Sequence, residues 1–196
     1  MRYVARLAVV LVASALALAG CGSAKKPKPP QFAGAVLENP APPPDFTLRD
    51  QQFRPVHLRA LRGKVVLVTF LYTHCPDVCP ITAANLNTAL QRLGGKRSRV
   101  RVLAVSVDPA GDTHASVLSF IRRHRLLSQF RYLTGGRATL AQVWRRYSVV
   151  SVRRGAGDVD HTLYTLLLDR SGTARVLFDV KATPAAIVHD VRLLLA

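Results

Sequence analysis

The chain has 196 residues, 49% of them hydrophobic, enough for one domain with a real core once about forty atypical N-terminal residues are set aside. Its formal charge is +17; loss of Arg2 and Arg6 with a cleaved leader leaves 26 Lys+Arg against 11 Asp+Glu, or +15. The excess is arginine scattered over many segments, including Arg97, Arg99 and Arg101, Arg122, Arg123 and Arg125, and Arg153 and Arg154, with few aromatics interleaved, so solvated basic faces are expected and a nucleic acid partner is not.

Met1 to Arg6 carries two arginines, and Leu7 to Leu18 is an unbroken run of apolar and small residues ending in Leu18-Ala19-Gly20-Cys21. The run is short of the roughly 20 residues that span a bilayer comfortably, and small residues before Cys21 suit a signal peptidase. Residues 1–20 resemble a bacterial lipoprotein signal peptide. That resemblance implies cleavage before Cys21 and diacylation of its sulfur, which withdraws this cysteine from redox or metal chemistry and places the protein on the extracytoplasmic face of the cell membrane.

Residues 21–44 then read as a linker, with seven prolines between Gly22 and Pro44 and lysines at 25, 26 and 28. Polyproline-like chain rises about 3.1 Å per residue, so this stretch would hold a domain up to roughly 70 Å from the lipid. Its lysines are placed to lie on anionic headgroups.

From Asp45 to the C-terminus the pattern is that of one folded α/β domain. Phe46-Thr47-Leu48 and Val56-His57-Leu58 flank a polar turn and predict a short N-terminal hairpin. Val65 to Leu71 reads as a buried strand, and Ile81 to Leu93 as a helix with Leu86, Ala89, Leu90 and Leu93 on one face, ended by Gly94-Gly95. Val100 to Val107 is a second buried strand, followed by a helix capped by Asp112 or Thr113 and running to about His124. Phe130 to Leu133 is extended, and Leu140, Val143, Trp144 and Tyr147 recur at helical spacing, which makes Trp144 a core residue. Leu163 to Leu168 and Ala174 to Phe178 bracket a turn, Asp169 to Thr173, and a C-terminal amphipathic helix closes the chain. A βαβ half followed by a ββα half predicts a thioredoxin-like fold, a central mixed sheet flanked by helices.

The chemistry concentrates between the first buried strand and its helix, in Tyr72-Thr73-His74-Cys75-Pro76-Asp77-Val78-Cys79-Pro80. Pro80 suits a first helical residue. At a spacing of four, with Cys79 near the helix start, both sulfurs can turn to one side, and the positive end of the helix dipole favours thiolate. Such a pair suits a disulfide or a soft metal ion.

The chain resembles the Sco/SenC proteins, copper-binding thioredoxin-fold factors of cytochrome c oxidase assembly. The match runs from Pro44-Asp45-Phe46-Thr47-Leu48 through Gly63-Lys64-Val65-Val66-Leu67, the cysteine motif and Ser106-Val107-Asp108-Pro109 to Val159-Asp160-His161-Thr162. His114 departs from it, standing where the family usually has proline. The resemblance implies copper ligation by Cys75, Cys79 and His161, with no catalytic residue, and copper delivery to the binuclear site of cytochrome c oxidase subunit II. Two thiolates select Cu(I), and an imidazole adds a donor able to hold Cu(II); structural zinc would want a fourth ligand. His74 and Asp77 are candidates for such a ligand, and Asp160 for an acceptor that orients the site. His57, His124 and His189 sit among polar residues and are given no role.

The competing reading is a thiol:disulfide reductase using Cys75 and Cys79, dedicated to the cysteines of that copper-receiving partner. A general oxidoreductase is disfavoured because those enzymes resemble one another in a CxxC and a facing cis-proline. Here the spacing is CxxxC, and no proline occurs between Pro109 and Pro184. A peroxiredoxin would need threonine where Tyr72 stands.

Overall fold

Val65–Leu71 places apolar side chains at all but one of seven successive positions, and a strand that must hide both faces belongs in the middle of a covered sheet. In the computed structural model, which describes residues 31–154 and 158–196, this segment is strand β4 and every residue of it is buried. The other strands are β1 (Ala35–Val36), β2 (Thr47–Arg49), β3 (Pro55–His57), β5 (Val100–Ser106), β6 (Phe130–Leu133), β7 (Ser151–Arg154), β8 (Asp158–His161), β9 (Thr165–Leu168) and β10 (Ala174–Phe178). The helices are α1 (Val78–Arg92), α2 (His114–Arg123), α3 (Arg137–Arg146) and α4 (Pro184–Leu195).

Six strands form the main sheet in the order β1-β10-β9-β4-β5-β6. β5 runs parallel to β4 and β6 parallel to β5, while β9 is antiparallel to β4 and β10 to β9. The parallel pairs require crossovers, which α1 and α2 supply, and the β9–β10 pair needs only the turn at Asp169. This is the expected mixed sheet of a thioredoxin-like α/β fold. Leu86 and Leu90 of α1 and Ile187 and Val191 of α4 are buried, and the two helices pack on each other. Each such aliphatic side chain contributes about 1.5–3 kcal/mol on burial. The predicted hairpin is the separate two-stranded sheet of β2 and β3.

The segment expected as linker is partly domain. From Gln31 onward it is described, and β1 pairs with β10 at the sheet edge. The amides of Ala33 and Gly34 donate to the fully buried Asp190 carboxylate at 2.8 and 3.0 Å, and Tyr147 donates to the Pro44 carbonyl at 2.7 Å. A Cβ on Gly34 would lie 2.5 Å from Val176, so only glycine allows this approach. Two strand residues are too few to leave a periodic signal. The signal peptide, Cys21 and the rest of residues 1–30 lie outside the described residues.

One helix start differs from expectation, and the cap of another is decided between the two expected candidates. α1 begins at Val78, so Cys79 is already helical and Pro80 is its third residue, still in the turn where a missing N–H costs nothing. At α2 the cap is Thr113, whose hydroxyl accepts from the Ser116 amide at 3.2 Å, leaving Asp112 free for another task.

Candidate metal centre

β4 ends at Leu71 and delivers the cysteine loop to the carboxyl edge of the sheet, where open α/β folds place their sites. The Cys79 amide donates to Cys75 Sγ at 3.3 Å. A sulfur thus takes the first-turn donor that Asp77, at the cap position but without a side-chain bond, leaves unpaired. Neither cysteine is disulfide-bonded; Cys79 is fully buried and Cys75 half-buried.

That difference in burial separates the two sulfurs chemically. The Cys79 thiol donates to Cys75 and, with the Asp77 and Cys79 amides, draws the Cys75 thiol down to about 6 against the opposing effect of burial. The same hydrogen bond, and then burial, push the Cys79 thiol well above the ordinary range. The helix start was expected to favour thiolate, without distinguishing the two sulfurs. The thiolate belongs to Cys75, because the buried Cys79 keeps its proton and donates a hydrogen bond to its neighbour.

His161 reaches this pair from β8. Its Nε2 lies 3.7 Å from Cys79 Sγ, and its Nδ1 is 3.0 Å from the Thr162 carbonyl, which can only accept. Nδ1 therefore carries the hydrogen, and the Nε2 lone pair is aimed at the sulfur. Burial lowers the His161 pKa, which favours this neutral, ligating form. Cys75, Cys79 and His161 are thus neighbours, although among the described residues no three His, Cys, Asp or Glu side chains stand as a formed metal-binding group.

Residues 36–196 match the model of the SCO1/SenC family. The chain belongs to that family. It is 30% identical over 150 residues to protein SenC of Rhodobacter capsulatus, covering 74% of this chain and 67% of that one. It is also similar to Bradyrhizobium japonicum ScoI, a structure with copper bound, at 32% identity and TM-score 0.70 over 79% of this chain and 99% of that one. BsSco, a member of the Sco family of cytochrome c oxidase assembly proteins in which a disulfide switch was identified, shares the fold at 22% identity and TM-score 0.68, over 82% of this chain and 97% of that one.

In this SCO1/SenC chain, β7 and β8 form a hairpin absent from the sequence-based expectation, and it is what positions His161. Three contacts fasten it. Tyr72, its ring edge-on to His161 at 5.6 Å, donates its hydroxyl to Asp158 at 2.9 Å. Ser151 donates to the Val107 carbonyl at 2.8 Å, and Arg153 pairs with the buried Asp108 at 3.2 Å. The second carboxylate oxygen of Asp108 is buried without a hydrogen bond among the described residues. A Cβ on Gly111 would lie 2.1 Å from that oxygen, so glycine is required there.

Asp112 fixes the cysteine loop from below. It accepts from the Thr73 amide at 2.7 Å, from Ser106 at 2.6 Å and from the fully buried Tyr132 hydroxyl at 2.9 Å. Burial pushes its carboxyl above the usual range despite these bonds. Asp160 does not orient His161: it is exposed and paired with Arg154, and the Thr162 carbonyl takes that role. His74 and Asp77 are exposed on the loop. In the sequence, Tyr72 stands inside the cysteine motif with no role given to its hydroxyl, Asp112 is only a candidate helix cap, and Asp158 carries no motif.

Proposed function

We propose that this chain is a membrane-tethered copper metallochaperone that delivers copper to the binuclear site of cytochrome c oxidase subunit II, with Cys75, Cys79 and His161 as the ligands. Membership of the SCO1/SenC family and the similarity to copper-bound ScoI support copper as the cargo. The observation that carries the reading is the meeting of two free sulfurs with a lone-pair-bearing imidazole nitrogen from a separate element. Two soft sulfurs suit Cu(I), and one nitrogen makes Cu(II) tolerable. Transfer runs by ligand exchange, in which thiolates of the acceptor replace Cys75 and then Cys79, so that copper is never free. Among the described residues no helix is long and apolar enough to cross a membrane. The tether is the lipid on Cys21, holding the domain at the extracytoplasmic face of the cell membrane.

A second reading, a dedicated thiol-disulfide reductase for the same acceptor cysteines, draws on the asymmetry of the pair. A half-buried thiolate beside a buried, protonated thiol is the arrangement of an attacking and a resolving cysteine. Titration of the reduced protein with Cu(I) and Cu(II), read by sulfur-to-copper charge-transfer absorption, tests the metal reading. Absence of stoichiometric binding in both states would leave the reductase.

A further inference from the structure

Between the cysteine loop and α2 lies a cavity of about 460 Å³, on which Cys75 opens and Cys79 does not. Pro76 and Phe120 give it apolar walls, Ser116 and Ser119 offer hydroxyls, and Arg123 and His124 stand along its α2 side. No carboxylate lines it. The negative end of the helix dipole accounts for cations in the last turn of α2. It does not account for Arg123 bordering this cavity, exposed and without an ion pair among the described residues. Burial lowers the His124 pKa, so the fixed charge of the wall is the guanidinium.

We propose that this cavity is the docking cleft for an acidic, cysteine-bearing segment of the protein with which Cys75 exchanges, one carboxylate of the segment pairing with Arg123 while its sulfur approaches Cys75. The proposal rests on the sulfur chemistry argued above and adds the partner's character and its direction of approach. Oppositely charged docking raises encounter rates and selects the segment, and the effect falls with added salt. The exchange can be followed on the oxidised protein. A partner thiolate attacks Cys75 Sγ, the Cys75–Cys79 bond breaks, a mixed disulfide forms on Cys75, and Cys79 leaves as thiolate and takes a proton; the partner sulfur is oxidised as Cys79 is reduced.

The test uses the full-length chain in detergent, oxidised to the Cys75–Cys79 disulfide, and three synthetic single-cysteine peptides whose flanks are acidic, neutral or basic. Rates are compared at equal thiolate concentration, with β-mercaptoethanol, which has no charge beyond its thiolate and no flanking segment, as the reference. The acidic peptide is expected to react at least tenfold faster than the neutral one at low ionic strength, with the gap closing as salt rises. Arg123→Glu should reverse the preference while changing the β-mercaptoethanol rate far less than the acidic-peptide rate, and Arg123→Lys should retain most of the preference. Arg192→Glu makes the same charge change beside Arg92, at the opposite end of α1 and about 20 Å along the helix from Cys79. It should have little effect. Equal rates for all three peptides, or equal losses in Arg123→Glu and Arg192→Glu, would overturn the cleft and leave the exchange chemistry standing. Failure of every thiol, β-mercaptoethanol included, would overturn both.

Discussion

The sulfur of Cys79 lies 3.7 Å from Nε2 of His161, although the two residues are 82 positions apart in the chain. One is fixed in the first turn of α1 and the other on a hairpin held by Tyr72, Ser151 and Arg153. The proposed donor set is therefore an assembly of two elements, and each can be perturbed without the other.

The first prediction separates the two sulfurs by pH. Cys75 is protonated below its depressed pKa and thiolate above it, so its alkylation by iodoacetamide should rise as the pH passes through about 6 and then level off. Cys79, buried and protonated, should remain unlabelled in the folded protein. In Cys79→Ala the donor to Cys75 is gone, and the midpoint should move upward. A wild-type profile still climbing through the ordinary thiol range, read by mass spectrometry of the labelled peptide, would contradict the assignment.

A second prediction concerns the carboxylate under the loop. Asp112→Ala strands the Thr73 amide and the Ser106 and Tyr132 hydroxyls in a buried site. At about 1–3 kcal/mol for each unsatisfied buried group, partly relieved by relaxation, the loss should be on the order of 3 kcal/mol. Asp112→Asn retains an acceptor and should lose less. Urea midpoints at constant m-value decide it.

The scaffold was legible because its cause is local. The unbroken run Val65–Leu71 demanded a doubly covered strand, and the spacing of Leu86, Ala89 and Leu90 fixed the buried face of α1. The hairpin behind His161 was not legible: three of the four residues of β7 are exposed, so no alternation of apolar and polar residues marks it. β1 escaped notice because an edge strand of two residues has no period. The order of the two thiol pKa values was not legible, since it depends on which sulfur donates the hydrogen bond between them and on depth, neither of which sequence reports.

The anchor can be checked separately from the site. Cys21→Ser should leave the precursor uncleaved and unlipidated, as seen by mass spectrometry of the membrane fraction. An unmodified Cys21 in a mature wild-type chain would refute the lipoprotein reading.

With Cys75 and Cys79 as the proposed ligands, redox state and metal compete for the same sulfurs. Oxidised protein should bind copper at least about a hundredfold more weakly than reduced protein, a gap of about 2.7 kcal/mol. Equal affinity in competition titrations of the two states would move the metal away from Cys75 and Cys79.

The last prediction uses His161 to choose between carrier and reductase. His161→Ala removes the imidazole nitrogen that faces Cys79 while leaving both sulfurs and the Cys79–Cys75 hydrogen bond in place. Cu(I) is satisfied by two thiolates and should be retained with a moderate loss. Cu(II) needs the imidazole and should be bound far less well, or be reduced by the thiols. In cells dependent on a copper carrier, oxidase activity should then fall as far as it does in Cys75→Ser. A reductase needs only the sulfurs, whose protonation the imidazole shifts modestly, so its cells would assemble oxidase nearly normally. Normal oxidase in the His161→Ala strain, with the variant present at wild-type levels by immunoblot, would therefore reject copper delivery and retain thiol reduction.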